Sequence, residues 1–409
     1  MALLVYRGKP HCGGQGVYTR HLSTALTDLG HHVEVFSGPP YPELDERVTL
    51  HRLASLDLYR EPDPFRIPKL REFRSWIDVA EFALMGTAGF PEPWSFSMRA
   101  LGALKARPHD FDVVHDNQCL GTGLLGIQDL GIPVLGTIHH PITVDRRVEL
   151  EHAETFRRRL TLRRWYGFTR MQTRVARRLR RVITVSESSL GDIVQDHGVD
   201  PARMRVVHVG VDPALFRPLP HIERVPGRLM TTASADVPMK GLVHLLEALA
   251  KVRTERPDAE LVVIGTPTAE GPVARAMADL DLADAVRFVS GVSDERIVEL
   301  YAEAELAVVP SLYEGFSLPA IEAMAAGVPV VATTGGAIPE VVGGDGTTAA
   351  LVPPGDGGAL AVTILELLAD PARRAAIGEA GRERAVGRYS WRATAEQTVE
   401  QYREVMSGC

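Results

Sequence analysis

Positions 310–333 carry the most specific chemical pattern in the chain: Pro310-Ser311-Leu312-Tyr313-Glu314-Gly315-Phe316-Ser317-Leu318-Pro319, then Glu322, Gly327 and Pro329. An apolar run at 306–309 reads as a buried strand that ends in a loop. Ser317 suits the N-cap of a following helix, and Pro319 suits its first turn. Gly327 and Pro329 stop that helix, and another apolar run follows at 328–332. The first N–H groups of a helix have no intrahelical acceptor, so they form a seat for phosphate or another anion. Glu314 and Glu322 cannot ligate phosphate, but a carboxylate can accept bonds from paired sugar hydroxyls. The loop therefore brings a phosphate and a polyol together, as in a nucleotide sugar.

Three further groups stand at strand ends. Met239-Lys240-Gly241 follows an apolar run at 229–233. A lysine at such a turn can neutralise a diphosphate leaving group. The basic residues are 40 Arg and only 5 Lys, which gives each lysine weight. Cys12-Gly13-Gly14-Gln15-Gly16 lies between the first apolar run and a helix at 17–29. Its glycines suit a close backbone approach or a tight turn, and no third glycine completes a dinucleotide fingerprint. Thr137-Ile138-His139-His140-Pro141 ends a parallel strand, where ligands of such sheets bind.

Together these residues resemble the retaining nucleotide-sugar glycosyltransferases of the GT-B fold, glycosyltransferase family 4 (group 1 glycosyl transferases). The resemblance covers most of the chain and is strongest over 205–402. It implies transfer of a sugar from a nucleotide-diphosphate sugar to a hydroxyl acceptor, with UDP ahead of GDP as the base. It also implies retention of configuration and independence from metal and cofactor. The implied front-face mechanism has the leaving phosphate oxygen take the acceptor proton, so the protein positions groups and stabilises charge. Lys240, Glu314 and His139 are the expected catalytic residues. Glu314 would contact donor-sugar hydroxyls and Glu322 the ribose hydroxyls. The N–H groups of Gly315, Phe316, Ser317 and Leu318 would meet the sugar and distal phosphate. Gly241 accompanies Lys240, and Gly14 and Gly16 would close over the donor phosphate. Val292, after Gly291, would lie at the nucleobase pocket. Gly210-Val211-Asp212 resembles a hinge motif with Val209 in place of the usual Asn, and 335–340 resembles the loop after the donor site. One departure is Ala235, where an Arg is usual. A GT-B-fold epimerase or phosphorylase, and a non-catalytic sugar-nucleotide-binding protein, are the alternatives.

Elements that position these groups follow from apolar runs at 3–6, 33–36, 113–115, 134–138 and 182–185, then 206–209, 229–233, 261–264, 286–289, 306–309 and 328–332. Short Val/Ile/Leu runs separated by helical segments predict parallel sheets buried on both faces. So many strands require two α/β, Rossmann-like domains facing across a cleft. The expected division is 1–212 on the acceptor side and 213–389 for the nucleotide sugar. A final amphipathic helix within 390–409 completes the first domain. The proline-rich segment 41–94 has no clear assignment.

The chain of 409 residues and 44.6 kDa is 45% hydrophobic and 24% charged, which excludes collagenous, disordered and disulfide-stapled classes. A pI near 6.1 argues against a globally basic nucleic-acid binder, and no nucleic-acid motif is present. Three cysteines, an odd and sparse number, suit a reducing compartment. The N-terminal apolar stretch is too short for a signal peptide and no run reads as a membrane span, so a cytoplasmic enzyme is expected. Asp279 and Asp281 read as surface rather than metal ligands. The net charge of −7 hides a local contrast: 157–181 holds 11 Arg and no acid, leaving 34 basic against 52 acidic residues elsewhere. With Trp165, Tyr166 and Phe168 among them, these arginines suit a solvated helix face. They also suit peripheral contact with the inner membrane face, or an anionic or lipid-linked acceptor.

Overall fold

The computed structural model describes residues 1–9, 14–60, 62–151, 153, 155–233 and 237–408. Cys12, Gly13 and Ala235 lie outside the described residues. The chain divides into two units. The first comprises Met1–Val185, Ser189–Val207 and Trp391–Cys409, and the second Ser186–Ser188 and His208–Ser390. This division falls a few residues ahead of the expected one at 212/213.

The first unit is built on seven parallel strands: β1 (Ala2–Val5), β2 (Glu34–Ser37), β3 (Thr49–Arg52), β4 (Val114–Asn117), β5 (Val134–Ile138), β6 (Arg181–Thr184) and β7 (Met204–Val206). Their order is β3-β2-β1-β4-β5-β6-β7. Strands β1, β2, β4, β5 and β6 are buried along their whole length, β1 and β5 as their Val/Ile/Leu content demands, β2 and β4 although they carry Glu34, His115, Asp116 and Asn117. The run expected as a strand at 206–209 is instead the exit from β7. Met204 pairs with Val182 in the first sheet, and Val207 donates a last bond to Thr184 O at 2.8 Å. Val207, Val209 and Val211 are buried without belonging to a ladder, so they give the same apolar signal as a strand.

The final helix, Trp391–Met406, belongs to the first unit. Trp391 stacks on His21, and Thr394, Thr398 and Val405 are buried. His115 Nδ1 bonds to the Tyr402 hydroxyl at 2.7 Å, and its Nε2 bonds to Thr137 Oγ1 at 2.6 Å. Arg181 and Glu404 form an ion pair beside them.

The second unit has six parallel strands: β8 (Arg228–Thr232), β9 (Glu260–Ile264), β10 (Val286–Val289), β11 (Leu306–Val309), β12 (Val330–Thr333) and β13 (Ala350–Val352), in the order β10-β9-β8-β11-β12-β13. The chain winds outward from β8 through β9 to β10, then restarts at β11 beside β8 and winds the other way. Loops leaving the carboxyl ends of β8 and β11 therefore diverge and open a crevice. In the first unit the same reversal falls between β1 and β4. Among the described residues no helix is long and apolar enough to cross a membrane.

Candidate functional site

In the second unit, the loop after β8 turns through Pro238–Lys240 into the helix Leu242–Glu255, with Gly241 between them. Gly241 has φ +65°, and a Cβ there would lie 2.0 Å from Pro310 O. Only glycine lets this turn pass so close to the end of β11. Leu312 N–H donates to Met239 O at 2.8 Å, so the two crevice loops share a backbone bond.

That junction sets the side chains. Lys240 Nζ donates to Glu314 Oε1 at 2.8 Å, and Ser311 Oγ donates to the same oxygen at 2.7 Å. Glu314 Oε2 has no partner among the described residues and is free to accept from a ligand. Ala337 N–H donates to Glu314 O at 2.9 Å and fixes the loop from behind.

Ser317 occupies the position before the helix Leu318–Ala325, but it does not cap with its side chain as the sequence suggested. Its backbone has φ +90°, an uncommon conformation for a residue with a Cβ. Its Oγ is buried without a partner, which leaves a hydroxyl and the helix's first N–H groups for a ligand. Phe316 packs its ring 5.4 Å from Tyr389 and 6.1 Å from His208, so its side chain supports the loop. Leu318 opens the helix.

Glu322 lies in the second turn with no hydrogen-bond partner for its carboxyl among the described residues. Burial, and secondarily the charge of Asp294, push its pKa up to about 7. A half-buried carboxyl with open lone pairs suits a vicinal diol. Val292 follows Gly291, which has φ +66°, in the turn after β10.

In the first unit, Gly16 sits in the helix Gly14–Asp28, where a Cβ would lie 1.9 Å from Lys9 O. Gly14 is exposed and a Cβ there would meet nothing within 4 Å. Asn117, which ends β4, donates its Nδ2 to Gln15 O and Thr19 Oγ1, both at 3.0 Å. This fixes the amide so that its Oδ1 faces His139 Nε2 at 2.6 Å. His139 therefore carries its proton on Nε2 and presents Nδ1 as an acceptor. Burial, with His140 adding to it, pushes the imidazole pKa down to about 3, so the ring is neutral at physiological pH. His140 instead pairs with Asp145 at 3.0 Å.

Asn117 and Gln118 escaped the sequence reading. Gln118, at φ +59°, accepts from His139 N–H at 2.7 Å and donates to His140 O at 2.8 Å. The available signal was a polar Asp116-Asn117-Gln118 triplet directly after the short run at 113–115.

Asp279 and Asp281 form no metal site, and among the described residues no group of three or more His, Cys, Asp or Glu side chains converges as one. Lys240, Glu314 and Asn117 sit at the carboxyl ends of strands at the switch points of two doubly wound sheets, with His139 at the end of the neighbouring β5 and Glu322 on the helix after β11, and two such parallel-sheet units are the architecture of a GT-B glycosyltransferase. Comparison with known proteins places it further. Residues 12–215 match the model of Glycosyltransferase Family 4, and residues 223–384 match Glycosyl transferases group 1. The chain belongs to glycosyltransferase family 4 and is a hexosyltransferase. It is 53% identical over 408 residues to an MMP alpha-(1->4)-mannosyltransferase of Mycolicibacterium hassiacum, covering 100% of this chain and 98% of the relative. A D-inositol 3-phosphate glycosyltransferase of Kineococcus radiotolerans is 29% identical, covering 98% and 93%. Among solved structures, sucrose-phosphate synthase from Thermosynechococcus elongatus is similar with TM-score 0.73 and 26% identity, covering 100% and 99%. Anabaena HepE in complex with UDP and glucose is similar in fold, with TM-score 0.72 and 19% identity, covering 98% of each chain.

Proposed function

We propose that this enzyme is a retaining mannosyltransferase that moves a mannosyl group from a nucleoside-diphosphate sugar to an acceptor hydroxyl. The carrying observation is the Lys240–Glu314 pair at the β8–β11 crevice, beside an unpartnered Ser317 hydroxyl and a raised, unpartnered Glu322 carboxyl. The 53% identity to a mannosyltransferase over the whole chain supports the sugar.

In this reading Glu322 accepts from the two ribose hydroxyls. Ser317 Oγ and the N–H groups at the start of the helix Leu318–Ala325 meet the diphosphate, with Lys240 compensating its charge. Glu314 Oε2 accepts from a mannosyl hydroxyl. In the first unit, His139 Nδ1 accepts from a sugar or acceptor hydroxyl, and the first turn of the helix Gly14–Asp28, with Gly14 and Gly16, approaches the donor. The bond between the anomeric carbon and the diphosphate oxygen breaks. The acceptor oxygen bonds to that carbon on the same face, and its proton passes to the leaving phosphate oxygen. No side chain must act as base, and the lowered pKa of His139 makes its Nδ1 a weak one.

A thermal-shift screen over UDP, GDP and their mannose and glucose conjugates tests the reading. A nucleoside-diphosphate mannose should raise Tm and give an alkali-stable glycoside with a suitable alcohol. Stabilisation by no nucleotide sugar, or transfer of glucose in preference to mannose, would overturn it. Product anomers read by NMR settle retention.

A further inference from the structure

We propose that the first unit docks on an anionic lipid bilayer through one face built from the helices Trp76–Gly86 and Phe156–Trp165.

Exposed apolar bulk is concentrated there. Of the eleven large hydrophobic residues exposed among the described residues, eight fall at 65–84 and 156–160. Leu70 is 91% exposed, Ile67 81% and Phe156 79%. Isolated exposed leucines need no account, but a gathered set marks an interaction surface.

Leu84, Leu160 and Trp76 of this set share one surface. Leu84 from the first helix and Leu160 from the second line a single open groove of about 470 Å³, floored by Phe90, Trp94, Phe168 and Met171. Trp76 continues it, with its ring 5.8 Å from that of Trp94. Arg164 ties the two helices by donating to Thr87 O and Thr87 Oγ1 at 3.1 and 2.8 Å.

The rim of the groove is cationic. Arg163, Arg164 and Arg170 line it. Arg157, Arg163 and Arg170 have no acidic partner among the described residues. Outside 157–181 the chain carries 34 basic against 52 acidic residues, so an anionic surface is repelled elsewhere and attracted here.

Charge and shape select the occupant. A second copy of the chain in a two-fold contact would set these arginines against themselves. Nucleic acid would satisfy the arginines but leave the aliphatic Leu84 and Leu160 in water, since they neither stack on bases nor bond to phosphate. An anionic bilayer offers phosphates at headgroup depth and hydrocarbon just below, which matches arginines interleaved with apolar side chains. The sugar transferred does not enter this inference.

The test is flotation of the full chain with vesicles of phosphatidylcholine containing phosphatidylglycerol, against phosphatidylcholine alone, at about 0.1 M salt. Partitioning onto anionic vesicles should exceed that onto neutral ones by about tenfold or more, and should weaken at higher salt. The pairs Trp76→Ser/Leu160→Ser and Arg163→Glu/Arg170→Glu should each lower it at least about fivefold with Tm retained. Val362→Ser, an exposed apolar position in the second unit, should leave it unchanged. No binding, equal binding to neutral vesicles, or indifference to the face variants would overturn the proposal. So would tighter binding to a single-stranded oligonucleotide, or a dimer in light scattering that Leu160→Ser dissolves.

Discussion

Lys240 Nζ lies 2.8 Å from Glu314 Oε1, although 74 residues separate the two in sequence. They come from the loops of β8 and β11, neighbours only because the sheet winds in both directions from that point. The pair is partly buried, so removing either partner leaves the other less well compensated. Lys240→Ala and Glu314→Ala should each lower kcat at least about tenfold, with Tm retained. The double variant should lose less than the product of the two, because one unit is removed twice. Steady-state kinetics on the four proteins reads this; normal turnover in either single variant would remove the pair from the site.

Glu322 gives the enzyme a pH signature. Its folded pKa is raised to about 7 by burial, against about 4.3 in an unfolded chain. Between these values the folded protein keeps a proton that the unfolded chain has lost, so this group's contribution to stability falls as pH rises from about 4.3 to 7. Glu322→Gln should raise Tm more at pH 8 than at pH 5. Hydroxyl donors favour the carboxylate, so nucleoside-diphosphate binding should release a proton and tighten as pH rises through 7. In Glu322→Gln, calorimetry should show weaker binding, by at least about fivefold, with no pH dependence across that range. A wild-type affinity flat from pH 6 to 8 would contradict the raised carboxyl.

His139 should behave in the opposite way. Its imidazole pKa lies near 3, so it does not change charge in the working range. His139→Ala should reduce kcat about tenfold while leaving the limbs of the pH–rate profile between pH 5.5 and 9 in place. Loss of a limb near 6.5 in the variant would mean that His139 titrates like an exposed histidine. Asn117→Ala, which frees the ring, should lower kcat in the same direction but by less.

Two glycines separate packing from openness. Gly241→Ala meets Pro310 O and a left-handed backbone at once, and should cost about 1–3 kcal/mol while displacing Lys240. Gly14→Ala meets nothing within 4 Å and should leave the unfolding free energy within about 0.5 kcal/mol of wild type. Denaturant melts of the two variants provide the comparison.

The sequence disclosed what depends on residue type and near neighbours. Strands β5 and β11 stand where their apolar runs begin and end, because an apolar run is the usual composition of a strand buried on both faces. Strands β3 and β13 gave no such run. Thr49–Arg52 is a half-exposed edge strand of mostly polar residues, and Ala350–Val352 has only three residues. At the site, Glu314 and Lys240 were legible as charged groups after strand ends, and Glu322 as one in the helix that follows. Asn117 was not, because its partners Gln15 and Thr19 lie 102 and 98 residues away and reach it only through the β1–β4 neighbourhood. The Ser317 cap was misread because left-handed backbone at a serine leaves no trace in composition.

The bond between His115 and Tyr402 spans 287 residues. A ribosome therefore delivers the seven strands of the first unit, and then the whole of 208–390, before it delivers the helix that closes the first unit's interior. During synthesis the later-born second unit can finish folding while the earlier one still lacks Tyr402. The order in which the two units mature is then the reverse of the order in which they are made.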